Sequence, residues 1–238
     1  MKEAKSDHSL TNIYYYGSEK ILVAVDCIIF GFDINEEKLK ILLFKRLVEP
    51  FAGQWSLVGS FVHKDEDLSV AAHRILKELA GLKNVFLEQL TCYGKVNRDP
   101  GSRVISIAYY SLIQINRKLK NLHEAQWFDV KDMPPLVLDH NEMVRDAQEQ
   151  LQQNAIRKPV GFNLLPEYFT LPQLLKLYQE IYQKPLDDRN FRKKILSMDL
   201  LVKSGKKDKS SSKKGAFLYK FDKGRYNNLI KKGFLFEL

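Results

Sequence analysis

Cysteine is nearly absent from this 238-residue chain, which carries only Cys27 and Cys92. Two cysteines supply neither a zinc-ligand spacing nor a disulfide framework. Each lies in an apolar, strand-like run, so both are expected as buried free thiols in a reducing compartment, the cytoplasm. Long apolar runs are missing too. The longest, ILVAVDCIIFGF, is broken by Asp26 and falls short of the ~20 residues that a bilayer span needs. The first residues, MKEAKSDHSL, hold no apolar signal core. Membrane insertion and secretion are therefore not expected. Internal repeats are lacking, and the one low-complexity segment is KKDKSSSKK, residues 206–214.

Apolar residues make up 45% of the chain, enough for one large core or two modest ones. The formal charge of +9 is unevenly placed. Residues 1–159 carry 21 Lys plus Arg against 21 Asp plus Glu, whereas residues 160–238 carry 17 against 8. This asymmetry predicts two parts with different partners, the basic one facing a polyanion.

The first part reads as strands with one internal and one terminal helix. ILVAVDCIIFGF and LKILLFK form a hairpin around a polar turn, and WSLVGSFV is a further strand-like piece broken at Gly59. Leu68, Ala71, Ala72, Ile75, Leu76 and Leu79 recur at helical spacing, with Gly81 placed to stop the helix. VFLEQLTCYGKV and RVISIAYYSLIQI are strand-like around the turn NRDPGS, and AQWFDV is a short strand. Residues 139–155 return to helical periodicity. The expectation is an α/β (α+β) sandwich over residues 1–155, a Pro- and Gly-bearing linker over 156–166, and a second domain over 167–238. In that second domain two helices, LPQLLKLYQEIYQ and DDRNFRKKILSM, precede a hairpin with a basic tip. That is the order of a winged helix-turn-helix.

Within residues 59–82 the spacing matches a helix that holds divalent cations for pyrophosphate chemistry. Carboxylates at i, i+3 and i+4 share one helix face and suit hard cations. The stretch resembles the Nudix box. Ser60 stands at the first glycine, with Gly59 beside it; Glu66 takes the first glutamate and Arg74 the arginine. Ile75 and Leu79 occupy two carboxylate positions, Glu78 keeps the third, and Gly81 and Leu82 close the motif. With its flanking strands the resemblance covers about residues 20–150. Two lost carboxylates imply no catalytic residue, no metal and no cofactor. Hydrocarbon at those positions leaves a cavity that recognises without cleaving. Residues set to converge near it are Asp26, Lys45, Arg46, Trp55, His63 and Glu78, and these are the effector-binding candidates. Arg74 and Glu78 are read as an ordinary i, i+4 ion pair.

In DDRNFRKKIL, inward Phe191 and Ile195 leave Arg189, Asn190, Arg192 and Lys193 to face outward, with residue types that read base edges. Lys194 and the tip lysines Lys206, Lys207, Lys209, Lys213 and Lys214 suit phosphates. A Nudix-like domain followed by a winged helix is similar to the Nudix-related transcriptional regulators of the NrtR group. LDDRNFRKKIL and DHNEMVRDA resemble its arabinose-responsive AraR branch. The resemblance implies a repressor-like homodimer, joined through the Nudix-like domains, on palindromic double-stranded operator DNA. A small effector, L-arabinose by the branch or ADP-ribose by the wider group, would control it. Two alternatives stand beside this reading. One is an active Nudix-type ADP-ribose or nucleotide pyrophosphatase with an appended nucleic-acid-binding module; the other is an adaptor for RNA or protein.

Overall fold

The structure is a computed structural model, and it describes residues 19–115, 125–209 and 214–238. The expected hairpin is β1 (Leu22–Asp33) and β2 (Lys38–Lys45), paired antiparallel from Ile29↔Leu42 to Asp33↔Lys38. WSLVGSFV divides at Leu57 rather than Gly59, into β3 (Trp55–Ser56) and β4 (Val58–Phe61). β5 (Glu88–Tyr93), β6 (Val104–Ile115) and β7 (Ala125–Asp129) follow. β1 is the central strand of a seven-stranded mixed sheet. One edge runs parallel to β6 along its whole length. The other edge pairs with β4 in its first half and with β2 in its second.

Strand alternation sends Val25, Cys27 and Ile29 to one face and Ile28, Phe30 and Phe32 to the other, all fully or almost fully buried. α1 (Leu68–Ala80) covers the first face with Ala71, Ala72, Ile75 and Leu76. It ends where the sequence places its stop. Gly81 adopts φ 64°, its N–H donates to the Lys77 carbonyl, and the Leu82 N–H donates to the Leu76 carbonyl. α2 (His140–Arg157) covers the second face with Met143, Val144, Ala147, Leu151 and Ala155. Cys27 is buried as expected, and burial pushes its thiol pKa upward. Cys92 is not buried: β5 is an edge strand, and its outer side leaves that thiol exposed.

The winged helix follows its expected order. β8 (Phe169–Thr170) leads into α3 (Leu171–Tyr182), where Thr170 and Gln173 form a reciprocal capping box and Pro172 sits in the first turn. α4 (Asp188–Ser197) and the hairpin β9 (Leu201–Asp208) and β10 (Ala216–Phe221) come next. α5 (Lys223–Lys231) follows the wing, in a stretch where no element is expected from the sequence.

The segment read as a linker is packed instead of free. Residues 156–157 continue α2, and Phe162, Leu164 and Leu165 are buried in the core shared by both domains. That core runs from Ile28 and Phe30 through Leu151 to Leu174, Leu177, Phe191 and Phe236. Gln152 Nε2 donates to the Ile181 carbonyl at 3.2 Å, and Gln114 Nε2 to the Leu164 carbonyl at 3.1 Å. The buried Glu180 carboxylate accepts from the Leu39 N–H at 3.4 Å and from Lys176 at 2.9 Å. Apolar side chains at 162, 164 and 165 gain more from burial than prolines and glycine alone suggest.

Candidate functional site

Two places on the first domain carry polar chemistry, and the sheet separates them. The first is built around Asp26, which sits midway along the central strand and is only 6% exposed. A carboxylate there requires partners, and the fold brings them from three elements. Ser106 on β6 donates its hydroxyl to Asp26 Oδ2 at 2.6 Å. Arg98 places Nη2 3.8 Å from Asp26 Oδ2. His140, in the first turn of α2, places Nε2 3.7 Å from Asp26 Oδ1. Arg98 is itself clamped by Asp139 through two parallel hydrogen bonds of 2.8 and 2.7 Å. The Leu57 N–H donates to His140 Nδ1 at 3.1 Å, so the neutral ring carries its proton on Nε2, towards Asp26. Burial holds the His140 pKa below its ordinary value, with the Asp26 and Asp139 charges opposing that shift. Gly59, paired with Asp26 across β1 and β4, is obligatory, because a Cβ there would lie 1.9 Å from Asp26 Oδ1.

Trp55 stands close to this cluster, since its carbonyl accepts from the Val137 N–H just before Asp139. Its ring meets Phe128 edge-on at 4.8 Å, and Lys45 Nζ lies 5.6 Å from the ring centroid. Arg46 Nε donates to the Pro50 carbonyl at 2.9 Å, and its positive charge reaches His140. Four of the six effector candidates, Asp26, Lys45, Arg46 and Trp55, thus gather around the start of α2. Arg98, Ser106, Asp139 and His140 complete the group, although none was named from sequence. The signal for them was Asp26 itself, an acid in an apolar strand. Arg98 was hidden in a segment read only as a turn, and Asp139 in one read only as a helix start.

The other two candidates, His63 and Glu78, lie with α1 across the sheet. There Arg74 gathers the box. It donates to Glu66 at 2.9 and 2.6 Å, to Glu78 at 3.1 Å and to the Phe61 carbonyl at 3.0 Å. The pair read as an ordinary helix ion pair is therefore one arm of a clamp that ties the 61–67 loop to α1. Hydrogen bonds from Arg74 and from the His63 N–H pull the Glu66 carboxyl down to about 2. The His63 ring is exposed. Ile75 and Leu79 do not line a cavity as expected. Ile75 is fully buried and Leu79 partly so, because both lie on the inner stripe of α1 that packs against the sheet. Among the described residues no group of three or more His, Cys, Asp or Glu has a metal-holding arrangement.

The third surface is the winged helix. Asp187 caps α4 by accepting from the Asn190 N–H at 2.7 Å. Phe191 and Ile195 are buried; Arg189, Asn190, Lys193 and Lys194 are exposed, and Arg192 is half-buried. Arg192 Nε bonds Asp188 at 2.6 Å, one turn back. On the wing Lys206, Lys207, Lys209 and Lys214 are exposed; Lys213 lies outside the described residues. Lys203, unnamed from sequence because it falls in a strand, stands 3.5 Å over the Phe217 ring, with Lys207 4.6 Å from it. Among the described residues no helix is long and apolar enough to cross a membrane.

Comparison with known proteins agrees with this division. The NUDIX domain matches residues 20–147, and the NrtR DNA-binding winged helix domain matches residues 161–221. The chain is 29% identical over 207 residues to the ADPR responsive transcriptional repressor NtrR of Acinetobacter baylyi, covering 84% of this chain and 82% of that protein. It is 39% identical over 127 residues to the ADP-ribose pyrophosphatase of Methanocaldococcus jannaschii, covering 52% of this chain and 71% of that enzyme. Its structure superimposes on that of Shewanella oneidensis NrtR in complex with a 27mer DNA. The TM-score is 0.68 at 28% identity, over 84% of this chain and 93% of that one.

Proposed function

The chain belongs to the Nudix family, in the NrtR-type arrangement that joins a Nudix domain to a DNA-binding winged helix, and we propose that it is an effector-controlled transcriptional repressor acting as a homodimer on palindromic duplex operators. The observation that carries this is the placement of charge. The excess of Lys and Arg lies beyond residue 159, in a domain where α4 presents Arg189, Arg192 and Lys193 beside a lysine-rich wing. Arginine suits guanine edges, and the wing lysines suit phosphates. A two-fold dimer then requires half-sites about one helical turn, or a multiple of it, apart.

For the effector, L-arabinose is the proposed ligand, held in the group around Asp26, Arg98, Asp139 and His140. The Asp26 and Asp139 carboxylates and the neutral His140 ring are the members of that group that suit the hydroxyls of an uncharged sugar, while Arg98, with Lys45 and Arg46 nearby, adds cations. ADP-ribose is the second reading, because the Acinetobacter relative is named as responsive to it. The Nudix domain is proposed to bind without cleaving. Apolar side chains hold positions 75 and 79, and Arg74 engages both remaining box glutamates. Mg²⁺-dependent hydrolysis of ADP-ribose to AMP and ribose 5-phosphate would instead support the pyrophosphatase alternative. The reading is tested by retardation of the chain's own upstream duplex DNA at low salt, with each ligand titrated in. It fails if no duplex is retained.

A further inference from the structure

α4 carries one acid, Asp188, among Arg189, Arg192, Lys193 and Lys194. An acid on a helix that meets a polyanion weakens the attraction to every phosphate near it. Asp188 is not needed as the cap, because Asp187 already accepts from the Asn190 N–H at 2.7 Å. What it holds is Arg192, one turn along, through Nε at 2.6 Å. Among the described residues that is the one hydrogen bond the guanidinium makes, which leaves Nη1 and Nη2 for another partner. The side chains of Arg192 and Asp188 keep 40% and 54% of their exposure, so the pair is open to a groove. An exposed i, i+4 pair adds little to folding stability. At about 100° per residue, with Phe191 and Ile195 inward, Arg189 and Lys193 point straight out and Arg192 lies on the flank. A flank arginine reaches a groove only if its head is turned towards it. Helix side chains lean towards the N-terminus, and Asp188 stands in the first turn. The bond therefore carries the guanidinium to the end of a recognition helix that meets base edges.

We infer that Asp188 is a positioning residue that sets the base preference of Arg192. On the DNA-binding reading above, on which this rests, the partner is one guanine in each half-site. Held at Nε, the guanidinium presents Nη1 and Nη2 side by side, the geometry that donates to guanine O6 and N7 together. An untethered Arg192 has a long stem with many rotamers, and its head can settle on a phosphate as readily as on a base. The carboxylate opposes that second outcome, because it repels phosphate oxygens beside it. Asp188 thus lowers affinity for duplex in general and raises discrimination between sequences.

The test is duplex retention by the full chain, measured in parallel on its upstream duplex and on a scrambled duplex of the same composition. Asp188→Ala should weaken the upstream complex about tenfold, the discrimination of one bidentate base contact. The scrambled duplex should be held equally well or about twofold tighter, because a negative charge has gone. Opposite movement of the two duplexes separates positioning from the other roles. Destabilising the helix weakens both, and removing charge alone tightens both; either result overturns the inference. In an Arg192→Ala background, Asp188→Ala should leave the ratio of the two affinities unchanged, and a further fall there also overturns it. The base itself is read by placing 7-deazaguanine at each guanine of the upstream duplex in turn. At one guanine in each half-site, loss of N7 should weaken the unaltered chain several-fold and barely affect Asp188→Ala. No guanine with that difference means the assignment is wrong. If the unaltered chain retains neither duplex, the DNA-binding reading falls and this inference with it. Discrimination that survives Asp188→Ala removes only this inference.

Discussion

Arg74 shows how much local structure a single side chain can hold. Its guanidinium joins Glu66, Glu78 and the Phe61 carbonyl, so it organises the loop before α1 whether or not a cation is ever held there. Arg74→Ala is expected to lower the melting temperature by roughly 3–6 °C, read by calorimetry. The same clamp sets an acid limb. The Glu66 carboxyl is depressed from 4.5 to about 2, so its contribution is complete above 4.5 and is lost as pH falls from there towards 2. In Arg74→Ala that slope should flatten in acid denaturation curves. His140 titrates in the opposite chemical sense with the same direction of loss. Its folded pKa lies below 6.5, so the unfolded chain takes up a proton first, and stability should fall as pH drops through and below 6.5. His140→Ala also strands the buried Leu57 N–H, a cost of about 1–3 kcal/mol measurable by urea titration. Little of this was legible in advance. Asp26 announced that a partner existed, but β6 and the turn at 98 come near it only through the parallel β1–β6 pairing, which joins residues about 80 apart in sequence.

At the scale of elements, periodicity and capping carried most of the information. The α1 stripe with its Gly81 stop, the Thr170 cap, and the order of α3, α4 and wing follow from local rules that hold in the structure. The failures have one physical origin: sequence spacing does not report which face of the sheet an element will cover. His63 and Glu78 were grouped with Asp26, yet α1 lies on one face and the Asp26 side chain on the other. The apolar run around Cys92 predicts a buried thiol, but an edge strand leaves it exposed. The recognition elements make a prediction at this scale. Replacing both Arg189 and Arg192 by Ala should abolish specific duplex retention and leave ligand-induced thermal stabilisation intact. Removing two wing lysines, Lys206 and Lys207, should weaken binding to all sequences alike and reduce the salt slope by about 2. Sequence-selective loss from the wing changes would reverse that division of labour.

The whole molecule is joined more tightly than two domains on a tether. Phe162, Leu164 and Phe236 run one apolar core from the sheet into the winged helix, and Glu180, Gln152 and Gln114 add polar contacts across the join. A ligand that binds the two arrangements of that join unequally is what coupling requires. A continuous core predicts cooperative melting. Both tryptophans, Trp55 and Trp127, lie in the Nudix domain, so their fluorescence reports that part alone while far-ultraviolet circular dichroism reports the whole. The two urea midpoints should coincide. The most direct trial of the central claim is a retardation titration of the upstream duplex by the full chain at low salt, repeated with L-arabinose and with ADP-ribose. The account predicts retention that steepens as salt is lowered, disappears in the Arg189→Ala, Arg192→Ala variant, and changes with L-arabinose. Absence of duplex retention, or retention that no ligand alters while ADP-ribose is hydrolysed with Mg²⁺, would contradict it.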